Sequence, residues 1–394
     1  MSIDSKIKNG LKRLIRFNNN RLSMNLLFDL KNREFAFDSN NNTTEWVDKA
    51  FAPRKTRLTE DTTILNRIYE AYNKAKEIQK TAKSHYQVSN EWLPIYNSSL
   101  KEVMAAFEKK DLEKLGILYQ NFMRNQCSAG LVGLPVDMDK CYFSGKISNK
   151  DKKLYLYDSL NRFWLWKNLS SKAFDIQSLD SPDIGNPFGY YIDGHFIKTG
   201  SDYQHYYAAA IDRLTKSDEH RVIVELGGGY GGMAYYLIRD CKRSTYIDFD
   251  LPENLALTTY YLLNAFPDKK ILLFGEEDLS DCKLTDYDIV LMPNYEIDKM
   301  TDLCSDLVFN SYSLAEMSHE TISNYVAVFN RIAKNYIFHV NHTRNSLVSA
   351  DDFGIDQDKF DLIYKIPALW NAGRNLYMDE YEYLYKRSEC EKKY

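Results

Sequence analysis

The stretch RVIVELGGGYGGMAYYLIRD, residues 221–240, decides the fold of this chain. Its β-branched beginning is typical of a buried strand, and its end repeats apolar residues at helical spacing. Between them, Glu225 to Gly232 contain five glycines in eight residues. Glycine permits a sharp turn and lets another group approach the main chain without meeting a Cβ atom. The stretch therefore predicts a strand, a ligand-binding glycine turn and a helix.

From about residue 220 onward, short apolar runs alternate with helical segments. The predicted strands are RVIVEL, STYIDFD, KKILLFG, YDIVLMP, SDLVFNSYS and NYIFHVN, followed by FDLIYKI and EYEYLYKR as an antiparallel pair at the sheet edge. Alternation of strands and helices implies crossover connections and a parallel sheet covered on both faces. We predict an α/β fold with a doubly wound, mostly parallel Rossmann-like sheet that ends in an antiparallel hairpin.

The pattern before residue 186 is different. In EDTTILNRIYEAYNKAKEIQK and SSLKEVMAAFEKKDLEKLGILYQNFMRNQ, apolar residues recur every three or four positions, as in packed helices. YLYDSLNRFWLWKNL is a further amphipathic segment. The sequence thus predicts a mainly helical region, 1–185, which covers the ligand site or mediates oligomerisation, and a Rossmann-like catalytic domain, 186–394.

Composition limits the class of protein. The chain has 394 residues, is 44% hydrophobic and carries a formal net charge of −4, with both signs mixed along it. The length and hydrophobic content predict a large core, and the mixed charges show no basic pattern typical of a nucleic-acid-binding protein. Six widely spaced cysteines and the lack of a long apolar run predict a reduced, cytoplasmic protein. The basic and apolar residues 5–17 are compatible with peripheral contact with an anionic membrane, although a solvated helix explains them more simply.

A second motif identifies part of the ligand. The strand STYIDFD ends at Asp250, which follows Gly227 by 23 positions (250 − 227). This is close to the ~20 expected for a carboxylate that binds the hydroxyls of a ribose. Asp248 lies on the same face if the strand is regular. Capping of the helix that begins at Pro252 is the alternative role for Asp250.

The glycine turn and Asp250 fit both a dinucleotide and S-adenosylmethionine, because both ligands contain an adenosine ribose. Two features favour S-adenosylmethionine. Glu225 at the strand tip suits a cationic sulfonium and would repel a pyrophosphate, and the turn matches G-x-G-x-x-G only loosely. The predicted cofactor-binding residues are Glu225, Gly227, Gly228, Gly229, Gly231, Asp250, Leu251, Asn294, Tyr295, Asn310 and Ser311.

The segments VELGGGYGGMAYYL, YIDFDLPENLALTTYYL and NSYSLAEMSHETISNY together resemble a family of bacterial sugar O-methyltransferases, class I enzymes that use S-adenosylmethionine. GNPFGYYIDG adds to the resemblance, which covers residues 185–345. The FDLP tip is also similar to plant-type small-molecule O-methyltransferases, in which this aspartate holds the cofactor ribose. The resemblance implies methylation of a sugar hydroxyl, in the synthesis of a surface polysaccharide or glycolipid. The sequence is also compatible with an oligomer.

Methyl transfer to a hydroxyl requires an aligned acceptor oxygen and a base that removes its proton. The predicted catalytic residues follow the strand SDLVFN: His319 as the base and Glu316 as its orienting partner, with His205 in reserve. His319 equally suits the first turn of a helix, and His205 a satisfied buried position. Glu316, Asp248 and Asp281 offer carboxylates, but no spacing specifies a metal site, so we predict none.

Three questions stay open at this point. The chain also fits a nicotinamide-dependent sugar oxidoreductase, or an inactive Rossmann-type module that binds a partner. The adenine pocket follows either YDIVLMP, with Asn294 and Tyr295, or KKILLFG, with GEEDLS.

Overall fold

The computed structural model describes residues 44–54, 62–88, 92–131, 148–344, 346–372 and 377–388. The basic N-terminal segment, for which the sequence allows membrane contact, lies outside these residues. The four cysteines within the described residues are free thiols: Cys127, Cys241, Cys282 and Cys304.

Helices make up most of the described chain before residue 170, as the apolar spacing predicts. They are α1 (Thr44–Phe51), α2 (Thr62–Gln79), α3 (Trp92–Ser98), α4 (Lys101–Glu108), α5 (Leu112–Gln120) and α6 (Asn149–Leu169). Ser148 caps α6, because its side chain accepts a hydrogen bond from the Asp151 N–H.

A small antiparallel hairpin follows, formed by β1 (Gly189–Ile192) and β2 (His195–Lys198). The sequence analysis did not predict it. The signal was present, because Asp193 and Gly194 separate two short apolar runs and both have positive φ values, 49° and 81°. This is the backbone that a two-residue hairpin turn requires.

The main sheet has eight strands within the described residues, in the order β5-β6-β4-β3-β7-β8-β10-β9. The strands are β3 (Arg221–Leu226), β4 (Ser244–Asp250), β5 (Ile271–Leu273), β6 (Ile289–Pro293), β7 (Ser305–Ser311), β8 (Ala333–His342), β9 (Phe360–Pro367) and β10 (Glu380–Arg387). Neighbours from β5 to β8 are parallel, whereas β10 pairs antiparallel with β8 and β9. The predicted parallel sheet with an antiparallel edge hairpin is confirmed.

Helices cover both faces of this sheet. They are α7 (Ser201–Leu214), α8 (Gly232–Asp240), α9 (Pro252–Ala265) and α10 (His319–Ile332). One apolar core joins α8 and α9 to the N-terminal helices, so that Phe107, Tyr119 and Tyr261 belong to the same cluster. The other core contains α10 and Tyr86. The helical region therefore packs directly on the sheet, and the predicted boundary at residues 185 and 186 stays a prediction.

The strand order places a switch point at the centre of the sheet. The chain leaves β3 toward β4 and later returns to pair β7 with the opposite edge of β3. Open α/β sheets bind ligands at the carboxyl ends of their strands beside such a point. Here, Leu226 pairs with Asn310 and with Phe249, and Asp250 pairs with Pro293, so that the tips of β6, β4, β3 and β7 lie side by side.

Candidate functional site

The glycine turn joins the tip of β3 to α8. Gly227, Gly229 and Gly231 have φ values of 79°, 63° and 86°, a conformation that costs little only for glycine. Gly231 immediately precedes the first residue of α8. The backbone of the turn alone therefore requires three of its glycines.

Polar side chains of the protein lie against this turn. A Cβ atom on Gly228 would lie 2.7 Å from both Asp248 Oδ2 and Tyr246 Oη, and one on Gly227 would lie 2.5 Å from Ser313 Oγ. Both positions thus exclude side chains because the protein's own polar groups approach the main chain. The glycines therefore make room for these contacts within the protein, in addition to any contact with a ligand.

Three carboxylates lie beside the glycine turn and are almost inaccessible: Glu225 is 3% exposed, Asp248 0% and Asp250 7%. Glu225 accepts a hydrogen bond from Tyr246 Oη at 2.6 Å, and Asp248 Oδ1 accepts one from the Gly228 N–H at 3.0 Å. Asp248 Oδ2 is buried without a hydrogen-bond partner among the described residues. The cluster thus offers acceptor capacity that the described part of the protein does not use.

Burial dominates the electrostatics of this cluster. It raises the pKa of Glu225 to about 8, with a contribution from the charge of Asp250, and the pKa of Asp250 to about 6. The pKa of Asp248 is also raised, by burial and by the charges of Asp250 and Glu225. A buried group of acids with raised pKa values favours a positively charged ligand, because a cation stabilises the ionised carboxylates.

Asp250 connects three elements at the tip of β4. Its Oδ1 accepts hydrogen bonds from the Leu251 N–H at 2.7 Å and from Asn254 Nδ2 at 3.0 Å, and its Oδ2 accepts one from the Gly229 N–H at 3.2 Å. The first two bonds hold the entrance to α9, as the capping alternative expects. The third turns the carboxylate toward the glycine turn, as a role in ribose binding requires.

The strand beside β4 is β6, and β5 lies one position further out. Asn294 and Tyr295 therefore follow the strand next to Asp250. Asn294 Nδ2 donates to Tyr86 O at 3.1 Å and to Tyr325 Oη at 2.9 Å, whereas its Oδ1 is buried without a partner among the residues that the structure describes. Tyr295 Oη donates to Ala75 O at 2.9 Å, in α2. Their predicted role at the adenine stays a prediction.

Asn310 ties together the tips of three strands. Its Nδ2 donates to Leu226 O at 2.8 Å and to Ser313 Oγ at 2.5 Å, and its Oδ1 accepts a hydrogen bond from Asn341 Nδ2 at 2.9 Å. Asn310 is fully buried, and Ser311 is half-buried beside it. Ser313, which the sequence analysis did not select, lies against Gly227 of the glycine turn.

The two predicted catalytic residues near β7 lie in different environments. Glu316 ends a short 3-10 helix, Leu314–Glu316, is half-buried, and accepts a hydrogen bond from Trp92 Nε1 at 3.1 Å. His319 is exposed and begins α10. The chain is extended at Met317 and Ser318, so the spacing of three does not place the two side chains on one helical face.

His205 is a buried, satisfied histidine. It is 2% exposed, its Nδ1 accepts a hydrogen bond from Trp166 Nε1 at 3.0 Å, and its ring packs edge-on against Phe174 and Tyr236. Burial lowers its pKa to about 4. This environment favours structural packing over the reserve catalytic role.

A second polar cluster lies on the far side of the β7 tip. Tyr312 Oη and Asn371 Nδ2 both donate to Glu380 Oε2 at 2.8 Å. Arg162 donates to Asn371 Oδ1 at 2.6 Å and to Trp370 O at 2.9 Å. Glu380 and Arg162 are buried, whereas Tyr312 and Asn371 are half-buried. Tyr312 also has a φ of 65°, an unfavourable backbone that is found more often at functional sites.

Sequence reasoning missed this cluster because its members come from α6, the position directly after β7, the turn after β9, and β10. Arg162 and Asn371 are 209 positions apart, and no local pattern links them. The nearest signal in the sequence was that Tyr312 lies between Ser311 and Glu316, which both belong to the predicted site.

Comparisons with known proteins concern the fold. A scan of protein-family models and a search of curated proteins found no match. Among solved structures, the chain is similar to a SAM-dependent methyltransferase from Aquifex aeolicus, with a TM-score of 0.32 and 14% identity over 48% of this chain and 93% of that chain. It is also similar to the N-methyltransferase NodS from Bradyrhizobium japonicum in complex with S-adenosyl-L-homocysteine, with a TM-score of 0.32 and 14% identity over 48% and 88% of the two chains.

A third similar structure is the mitomycin 7-O-methyltransferase MmcR, with a TM-score of 0.32 and 12% identity over 48% of this chain and 55% of that chain. TM-scores of this size establish nothing about activity or substrate. The strand order of the main sheet defines a Rossmann-like fold of the class I methyltransferase type, as predicted.

Two further properties concern the described residues alone. Among them, no group of three or more His, Cys, Asp or Glu is placed to hold a metal ion. No helix in the same part of the chain is both long and apolar enough to cross a bilayer.

Proposed function

We propose that this protein is a cytoplasmic S-adenosylmethionine-dependent O-methyltransferase that acts on a sugar hydroxyl. The observation that carries the proposal is the buried cluster of Glu225, Asp248 and Asp250 against a glycine turn at the switch point of the sheet. These carboxylates suit a ligand that combines a ribose with positive charge.

Each group of the cofactor has a matching residue. Asp250 accepts hydrogen bonds from the ribose hydroxyls, in the position that the fold gives to such a carboxylate. Glu225 and Asp248 stabilise the positive charges of the sulfonium and the ammonium group. Asn294 Oδ1, which is buried and unpartnered among the described residues, accepts a hydrogen bond from the amino group of adenine.

The same cluster disfavours a nicotinamide dinucleotide. Its pyrophosphate carries negative charge and would lie beside three buried carboxylates. At an effective dielectric constant of 20, two like unit charges 4 Å apart repel by about 4 kcal/mol. Beside this ligand the acids would have to stay protonated, whereas the positive charge of S-adenosylmethionine lowers their raised pKa values and favours the ionised carboxylates.

Bound S-adenosylmethionine supplies a methyl group that is already activated for transfer. The residues of this chain have to align the acceptor oxygen and remove its proton. Glu316 is the better placed base, because it is half-buried and its carboxylate is held by Trp92 Nε1. His319 is exposed and is the second candidate.

The cluster of Tyr312, Asn371, Glu380 and Arg162 supports a hydroxyl-rich acceptor. It provides hydrogen-bond donors and acceptors one residue away from Ser311 and Ser313, at the tip of the strand that faces the donor methyl. Tyr203 and Trp370 lie next to it, with ring centroids 6.4 Å apart. Tyr203, Tyr312 and Asn371 are the partly exposed members, and their aromatic and polar groups suit a sugar, which has apolar faces and polar edges. The buried Trp370, Glu380 and Arg162 hold them in place. A role in surface polysaccharide or glycolipid synthesis follows from the sequence resemblance.

Calorimetry with S-adenosylhomocysteine and with NAD tests the cofactor. We expect S-adenosylhomocysteine to bind and NAD not to bind, and binding of NAD alone would contradict the proposal. Transfer of a labelled methyl group to a panel of methyl hexosides and nucleotide sugars tests the reaction. Cofactor binding without transfer to any acceptor would favour the inactive binding module.

A further inference from the structure

Helix α3 makes two hydrogen bonds with the site from one of its faces. Trp92 and Tyr96 are four residues apart and therefore lie on the same side of the helix. Trp92 Nε1 donates to Glu316 Oε2 at 3.1 Å, and Tyr96 Oη donates to the carboxylate of Glu253. The helix thus contacts residues that follow two different strands.

These two contacts fix the path of α3 over the sheet. Glu253 lies three residues after the tip of β4, and Glu316 five residues after the tip of β7. Strand β3 lies between β4 and β7, so the two tips are about 10 Å apart at ~4.8 Å per strand. Four helical residues rise about 6 Å, and the two long side chains cover the remaining distance. Helix α3 therefore crosses above the tip of β3, where the glycine turn lies.

Neighbouring residues support this path. Leu131 Cδ2 lies 3.8 Å from the position that a Cβ on Gly229 would occupy, so the segment after α5 also reaches the glycine turn. The Trp92 ring lies 3.8 Å from the corresponding position on Gly130. Lys76 Nζ, in α2, lies 2.6 Å from Glu253 Oε1 and holds that carboxylate from another side.

The packing of α3 is weak compared with the groups that it contacts. None of its seven side chains is buried, and Leu93, Pro94, Asn97 and Ser98 are exposed. Glu253, in contrast, is 3% exposed. Elements with few buried apolar contacts open at low free-energy cost. Helix α3 is therefore held in place by the hydrogen bonds of Trp92 and Tyr96 and by the partly buried side chains of Ile95 and Tyr96, which pack against the core.

We propose that α3 is the roof of the cofactor site, and that Trp92 and Tyr96 are positioning residues that hold it closed over the bound cofactor. The inference rests on the proposed function for the identity of the cofactor. A ligand that lies against the glycine turn has to enter and leave when the roof is displaced. The two hydrogen bonds then set the rate of ligand release.

The double variant Trp92→Phe with Tyr96→Phe tests the role of these bonds. It removes both donors and keeps both aromatic rings. We expect S-adenosylhomocysteine to bind at least about tenfold more weakly, mainly through faster dissociation, because two hydrogen bonds to carboxylates that hold the roof closed are lost. Asn97→Ala is the matched control, because Asn97 is exposed on the same helix, and it should bind like the wild type. Unfolding curves without ligand show whether each variant is folded.

Hydrogen exchange of the wild-type protein tests the roof itself. Bound S-adenosylhomocysteine should slow exchange at the amides of both α3 and Gly227–Gly232. If the wild type does not bind this ligand, the proposed function fails. If the ligand protects the glycine turn but leaves α3 unchanged, the roof is refuted and the proposed function stands. Wild-type dissociation from the double variant refutes the role of Trp92 and Tyr96.

Discussion

Replacement of Asp250 by asparagine removes the charge at the centre of the site and keeps the shape of the side chain. The bonds from the Leu251 N–H and Asn254 Nδ2, at 2.7 and 3.0 Å, go to Oδ1 and can persist in the variant. The bond from the Gly229 N–H at 3.2 Å goes to Oδ2, where asparagine would present its own N–H group. The substitution therefore places two hydrogen-bond donors, the side-chain amide of the introduced asparagine and the Gly229 N–H, opposite each other.

The effect on ligand binding should exceed the effect on folding. A hydrogen bond to a charged group contributes about 1.5–3 kcal/mol, and a ribose diol makes two with one carboxylate. Asparagine retains part of this binding free energy, so we expect the variant to lose about 3 kcal/mol of it, or about 100-fold in affinity. The lost Gly229 bond destabilises the fold by about 1 kcal/mol. Removal of a buried charge offsets this, because burial already raises the pKa of Asp250.

Titration calorimetry with S-adenosylhomocysteine at pH 8 measures the affinity, since Asp250, with a pKa raised to about 6, is ionised there. Asp268→Asn is the control, because Asp268 is an exposed acid just beyond α9, and it should leave the affinity unchanged. An Asp250→Asn protein that unfolds like the wild type and binds within about threefold of it would refute the ribose role, as threefold corresponds to less than one hydrogen bond.

Three further outcomes are expected. Gly227→Ala should destabilise the protein by about 1–3 kcal/mol more than Gly354→Ala in urea unfolding. Both glycines have φ near 80°, but only Gly227 faces another side chain. Equal losses of unfolding free energy in the two variants would contradict the close contact at Gly227. Since the pKa of Glu225 is raised to about 8 in the folded state, the folded protein keeps a proton on Glu225 that the unfolded chain loses, and the free energy of unfolding falls as pH rises toward 8. Glu225→Gln should reduce this pH dependence when the free energy of unfolding is measured from pH 5 to 8. The same pH dependence in the variant and the wild type would argue against the raised pKa. Glu316→Gln should slow methyl transfer at least about 100-fold and weaken S-adenosylhomocysteine binding much less, because the amide oxygen of glutamine can still accept the hydrogen bond from Trp92 Nε1. His319→Gln should change the rate little, and the reverse ranking in single-turnover assays would make His319 the base.

The hydrogen bonds between the N-terminal helices and the candidate site were not accessible to sequence reasoning. Trp92 and Glu316 are 224 positions apart, and Tyr96 and Glu253 are 157 apart. Side chains so far apart in the sequence come into contact only when the whole core has formed, and no periodic pattern of residues indicates such a contact. The same holds for Tyr312, directly after β7, and Glu380, the first residue of β10.

The order of strands and helices, the edge hairpin and the glycine turn could be determined from the sequence, because each depends on a local pattern. Alternating apolar runs specify strands, helical spacing specifies α2 and α10, and Asp250 follows the glycines at a distance that one strand–helix–strand unit fixes. Tertiary structure alone decided which strand lies beside β4, since pairing order depends on how the crossovers pack. It also decided that Glu316 is half-buried and His319 exposed, because a single extended step at Met317 and Ser318 turns the chain between them.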